Sequence, residues 1–123
     1  MQIYRSFYDP EFMKIYFQNM SREWNDYDDF MRKYSRGVSI DEWTKSVVTG
    51  GYFEGIGVLL EEELLDITKV EKLMGSIIIN YWEKIQPLIY EMREKWKNPL
   101  VWLYFENLYN AIIEARGGVI KTS

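Results

Sequence analysis

The stretch DITKVEKLMGSIIINYWEKIQPLIYEMREK, Asp66 to Lys95, is where the fold is decided. Val70, Leu73, Met74, Ile77, Tyr81, Ile85, Leu88 and Met92 recur every three or four residues, and Ile78, Trp82 and Ile89 widen the stripe. That period belongs to one buried face of an α-helix. Two caps compete for its start. Thr68 with Glu71 forms a capping box, whereas Asp66 would place Leu65 against Val70 as a hydrophobic staple. Pro87 has no amide hydrogen and its ring crowds the preceding turn, so the sequence predicts a kink near Glu83 to Gln86 in one long helix, not two helices.

Working outward, Asn98-Pro99 pairs a capping residue with a proline at the first helical position, and predicts a last helix from Leu100 to about Glu114, ended by Gly117-Gly118. Its apolar residues nearly encircle the axis, which places it centrally or under a second subunit. Towards the N-terminus, Tyr52, Ile56, Leu59, Leu60 and Leu64 form another helical stripe. Gly50-Gly51 invites a break or bend before it, and Gly51, Gly55 and Gly57 suggest the close approach of a helix or an aromatic ring. Ser39 and Glu42 make a capping box, with Val38 and Trp43 as the staple pair, so a helix begins at Ile40. Asn25 or Asp26 caps a short helix carrying Tyr27, Phe30, Met31 and Tyr34, and Asp9-Pro10-Glu11 opens the first one, running to about Glu23. The expected fold is all-α, a compact bundle of about five helices in a single domain over residues 1–123. Its fourth helix is long and proline-kinked, its C-terminal helix is largely buried, residues 1–8 form an arm and residues 117–123 a frayed tail.

Composition narrows the chemistry. The 123 residues contain neither cysteine nor histidine. Thiolate nucleophiles, disulfides, thiolate zinc sites and histidine-based triads are therefore excluded. A net charge of −4 disfavours phosphate backbones and anionic membranes. The longest apolar runs, such as Ile77-Ile78-Ile79, fall far short of the ~20 residues that span a bilayer. The N-terminus lacks the apolar core of a signal peptide, and a cytoplasmic location follows by default. Ten tyrosines and five tryptophans offer large apolar area with polar tips, suited to half-buried positions or a partner's surface.

Several segments together resemble a known family: Asp9-Pro10-Glu11-Phe12, Tyr52-Phe53-Glu54-Gly55-Ile56-Gly57-Val58-Leu59, Leu64-Leu65-Asp66, Tyr81-Trp82-Glu83-Lys84-Ile85-Gln86-Pro87 and Tyr104-Phe105-Glu106-Asn107-Leu108. They are similar to an uncharacterised family of small helical prokaryotic proteins described as a domain of unknown function. The resemblance implies a helical fold and carries no catalytic or binding residues with it. Many members of that family place a transmembrane helix before the domain, and this chain shows none.

Carboxylates are the abundant reactive groups. Glu54, Glu83 and Glu106 each sit among aromatic and apolar residues, where burial would raise a pKa and paired acids would do acid–base work or hold a hard cation. The plainer reading pairs each with a lysine, arginine or tyrosine. Glu61-Glu62-Glu63 reads as a solvated face. Asp26, Asp28 and Asp29 lack the glycine and closing glutamate of a calcium loop. Ser35-Arg36-Gly37-Val38-Ser39 has the look of a helix-turn-helix, with Arg32, Lys33 and Arg36 nearby, yet Asp41 and Glu42 would meet the phosphates. Arg93, Lys95 and Lys97 suit the negative end of a long helix. No phosphate loop, metal site or cofactor site is indicated.

The reading of function is a non-enzymatic protein–protein interaction or scaffold module, self-associating as a homo-oligomer through the aromatic faces of the fourth and fifth helices. Its candidate binding residues are Glu54, Tyr81, Trp82, Glu83, Trp102 and Glu106, as an interface or a buried polar cluster. The alternatives are a nucleic-acid-associated regulator using the helix pair at 26–49 and a carboxylate enzyme using the three glutamates.

Overall fold

The computed structural model describes residues 2–118, and among them the chain forms six α-helices and no strand: α1 Gln2–Phe7, α2 Pro10–Ser21, α3 Tyr27–Tyr34, α4 Ile40–Glu61, α5 Ile67–Lys95 and α6 Leu103–Ala115. The expected tail at 119–123 lies outside the described residues.

The first correction concerns the arm. Residues 2–7 are helical and Phe7 is completely buried, edge-on to Phe12 and Tyr16 at 5.5 Å each. One buried aromatic ring is enough to tie a short terminal helix to its neighbour, and the helix count rises from about five to six.

The caps act as their chemistry predicts. The Asp9 carboxylate accepts from the Glu11 and Phe12 amides, Asp26 from Asp29 and Ser39 from Glu42. The box at Ser39 is only half made, because the Glu42 side chain turns to Arg22 and Lys45. Val38, the expected staple residue, is exposed. At α5 the competition is settled for Asp66, whose Oδ1 accepts from Thr68 N at 2.9 Å.

Of the break or bend expected at Gly50-Gly51, the break does not occur, and α4 runs through as one helix. A Cβ at Gly50 would lie 2.5–2.8 Å from the Trp102 indole, and one at Gly57 would overlap the Tyr104 carbonyl. Both glycines are there for packing. They let the start of α6 lie directly on α4, while Gly55 faces open space. α6 packs on α4 and α5, α2 packs on α4, and α3 on α5.

α5 is a single helix through Pro87. It buries Val70, Met74, Ile78, Tyr81, Trp82, Ile85, Leu88, Ile89 and Met92, whereas Leu73 lies outside the stripe. α6 starts three residues later than expected. Asn98 Oδ1 accepts from Leu100 N, but residues 99–102 form turns, and Trp102 adopts a left-handed conformation with φ 48° before the helix begins. Phe105, Leu108, Tyr109 and Ile112 are buried. Gly117, at φ 75°, and Gly118 close the helix by donating to Glu114 O and Ile113 O, the two bonds of a Schellman motif.

Candidate binding cavity

A cavity of about 300 Å³ lies beside α5, between the α2 C-terminus, α3, α4 and the 96–102 segment. Ile85, Leu88, Ile89 and Met92 supply its apolar wall from successive turns of α5. Trp24, Trp43, Trp96 and Trp102 also line it, four of the protein's five tryptophans. Val47, Trp96 and Leu100 are exposed and make its rim. Trp96 is anchored there by an Nε1–H bond to Tyr27 Oη at 3.0 Å and lies 6.3 Å from the Trp43 ring.

Polar groups enter from α2 and the residue that follows it. Asn19 is buried, and its amide donates to Lys45 O at 2.9 Å and to Thr49 Oγ1 at 2.6 Å. The Thr49 hydroxyl gives its own hydrogen to Lys45 O, so it must accept from Asn19. This fixes the amide orientation and leaves Asn19 Oδ1 as a buried acceptor without a partner. Arg22 is equally constrained. It donates to Ser46 Oγ, Glu42 O and Glu42 Oε2 at 2.6–2.7 Å and lies 4.5 Å over the Tyr34 ring. Its Nε–H is buried and unpartnered. Lys45 and Arg22, bonded to the Glu42 carboxylate, hold it below the usual carboxylate range.

Of the six sequence-predicted residues, Glu54, Tyr81 and Trp102 reach this cavity. Glu54 Oε1 accepts from Phe105 N at 2.7 Å and so caps α6 from a different helix, where Trp102 offers no side-chain cap. Burial raises the Glu54 pKa, and the α6 backbone amides and Arg93 oppose that rise. Tyr81 is buried beside Tyr16, Phe53 and Phe105, and its phenol is pushed up by desolvation.

The other three lie elsewhere. Trp82 is a fully buried core residue, edge-on to Phe105 at 5.0 Å. Glu83 accepts from the Tyr109 hydroxyl at 2.7 Å. Glu106 accepts from Tyr90 Oη at 2.6 Å and pairs with Arg93 at 2.7 Å, while Arg93 Nε also holds Val101 O. The three acids are thus bound to three separate sets of partners. Among the described residues no group of three or more acidic side chains is placed to hold a metal ion. Arg32 and Lys33, two of the three cations near the suspected helix-turn-helix, are both paired with Asp29.

Sequence reasoning did not single out Asn19, Arg22, Trp24 or Trp96, and it read Trp43 as the staple partner of Val38, not as a cavity residue. One signal was available, since Asn19 stands three residues after buried Tyr16, a polar residue on an apolar face. The tryptophans come from three separate segments, around residues 24, 43 and 96–102, and only tertiary structure assembles them.

No helix among the described residues is long and apolar enough to cross a membrane. Comparison with curated proteins and with solved structures gave no match. The family model described as Domain of unknown function (DUF4760) matches residues 48–112, more than half of the chain, and the chain belongs to that family.

Proposed function

We propose that the protein is a non-enzymatic helical binding module whose recognition element is the tryptophan-lined cavity, taking up a small apolar molecule. The observation that carries this is the gathering of four of five tryptophans around about 300 Å³ of space with an exposed rim. That size is at the lower end of ligand pockets, about 300–1,000 Å³, which are mostly apolar with a few placed polar groups. The architecture that goes with this reading is a compact bundle in which Pro87 kinks α5, turning Leu88, Ile89 and Met92 across the cavity, and α6 is largely buried. Its location is cytoplasmic.

The test is titration with propylbenzene, followed by calorimetry and by tryptophan emission. Saturable one-to-one binding is expected, and its loss in Val47→Trp, which narrows the mouth from an exposed position. Heat and emission changes that do not saturate, in wild type and variant alike, would overturn it.

A second reading favours a protein partner, in the first place another copy of the chain, that inserts an apolar side chain. Exposed Trp96, Val47 and Leu100 at the rim support it. Sedimentation at high micromolar concentration should then show a dimer that Leu100→Asp dissociates.

A further inference from the structure

We infer that the ligand is a neutral, planar molecule of two fused aromatic rings, recognised by the tryptophans and not by a charged group of the lining. This rests on the cavity being a ligand site and goes on to name the class of molecule it takes.

Reach decides which lining groups can recognise a ligand. Asn19 and Arg22 are buried and bonded to Lys45, Thr49, Ser46 and Glu42. Glu54, the acid on the lining, accepts from Phe105 N. A charged ligand would give up its hydration for a wall whose cation is already paired and whose acid is taken by α6. The tryptophans are different. Trp24, Trp43 and Trp102 are half-buried and Trp96 is 42% exposed, so each keeps surface that a ligand can cover. No single ring orientation is required, because an aromatic ligand stacks offset on an indole face or meets an indole edge with its own face. A saturated ligand of the same outline gains only from its buried area. Size sets the number of rings. An apolar cavity of about 150 Å³ holds one benzene ring, and the volume of about 300 Å³ here gives room for two. The exposed rim at Val47 and Leu100 lets a polar substituent stay in water.

Calorimetry on the intact protein at neutral pH compares 2-naphthol, its saturated counterpart decahydro-2-naphthol, phenol and propylbenzene. Hydrophobic transfer gives 2-naphthol no advantage over its saturated counterpart, whose rings carry more apolar surface. 2-Naphthol is nevertheless expected to bind at least tenfold more tightly than decahydro-2-naphthol, and at least tenfold more tightly than phenol. Trp43→Leu and Trp96→Leu, each exchanging a ring for an aliphatic side chain, should cut the first ratio at least threefold and leave decahydro-2-naphthol within about twofold of its wild-type affinity. Circular dichroism checks their folding, and Trp96→Leu, at the exposed rim, decides by itself if Trp43→Leu does not fold. Decahydro-2-naphthol binding as tightly as 2-naphthol would overturn the aromatic assignment, and phenol binding as tightly would overturn the two-ring assignment. Both results leave the cavity a site for apolar molecules. An unchanged ratio in the folded variants would overturn recognition by the tryptophans. If none of the four ligands binds, propylbenzene included, the reading of the cavity as a ligand site falls as well.

Discussion

Among the described residues, three other than glycine hold left-handed backbone: Glu63 at φ 63°, Lys97 at φ 51° and Trp102 at φ 48°. The first two occupy the closing position of Schellman motifs, for Leu64 N donates to Leu59 O beyond Glu63, and Asn98 N to Arg93 O beyond Lys97. Left-handed geometry costs a side-chain-bearing residue roughly 1–2 kcal/mol, and glycine's extra freedom in the unfolded chain returns part of that. Glu63→Gly and Lys97→Gly should each stabilise the protein by about 0.5–1 kcal/mol in urea denaturation. The α4 glycines divide by environment. Gly57→Ala should cost about 2–3 kcal/mol, since its methyl group meets the rigid Tyr104 backbone. Gly55→Ala, in open space within the same helix, should gain about 0.5–1 kcal/mol. Sequence alone named Gly51, Gly55 and Gly57 as places of close approach, whereas the tight contacts fall at Gly50 and Gly57 and Gly55 meets open space. Two of them differ only in the direction a missing Cβ would point, and that depends on where α6 lies.

Elements were legible where side chains address their own backbone. Asp9, Asp26, Ser39 and Asp66 cap as their types require, because a cap is satisfied within a few residues and needs no distant partner. The start of α6 was misplaced for the opposite reason. Asn98 does bond Leu100 N, yet helix formation waits until Trp102 has seated on Gly50 and Glu54 of α4 has taken the amide of Phe105. That cap spans 51 residues of sequence. Glu54→Leu would strand a helix-terminal donor and should cost about 1–3 kcal/mol, while Glu54→Gln keeps an acceptor and should cost less. The pH dependence separates the charge from the bond. The folded pKa of Glu54 is raised by burial, so the fold favours its protonated form relative to the unfolded chain. As pH falls from neutral through that raised value, wild type should gain stability relative to Glu54→Gln. The gain is complete below the ordinary value of 4.5. Thermal melts of both proteins across this window measure it, and a constant difference would refute the burial of charge at Glu54.

At the scale of the molecule, the cavity joins two parts of the chain with different means of support. The family-matched residues 48–112 supply Glu54, Tyr81, the α5 wall, Trp96 and Trp102. Residues before 48 supply Asn19, Arg22, Trp24, Phe30, Trp43 and Ser46. Both parts share the apolar core, to which the second gives Phe7, Tyr16 and Phe30, but the second also leans on ionised carboxylates. Glu42 joins Arg22 to α4, and Asp29 holds the Asn25 amide, Arg32 and Lys33. Both acids titrate below their ordinary values of 3.8 for Asp29 and 4.5 for Glu42. For Asp29 the Asn25 amide is the main cause, and for Glu42 the bond from Lys45 followed by that from Arg22. A depressed folded pKa contributes stability that is fully present above the unfolded value and is lost as pH falls through the folded one. Acid should therefore loosen residues 19–46 first, below about pH 4, while α5 and α6 keep their packing. Hydrogen exchange with protection factors corrected for intrinsic rates should show protection lost in α3 and the first turns of α4 ahead of Ile78, Trp82 and Leu108. Propylbenzene binding should fade over the same range, because one wall of the cavity goes with those helices. A single transition in which all amides lose protection together would mean that the two parts are one cooperative unit, and that the ion pairs at Asp29 and Glu42 do not govern the stability of the cavity wall.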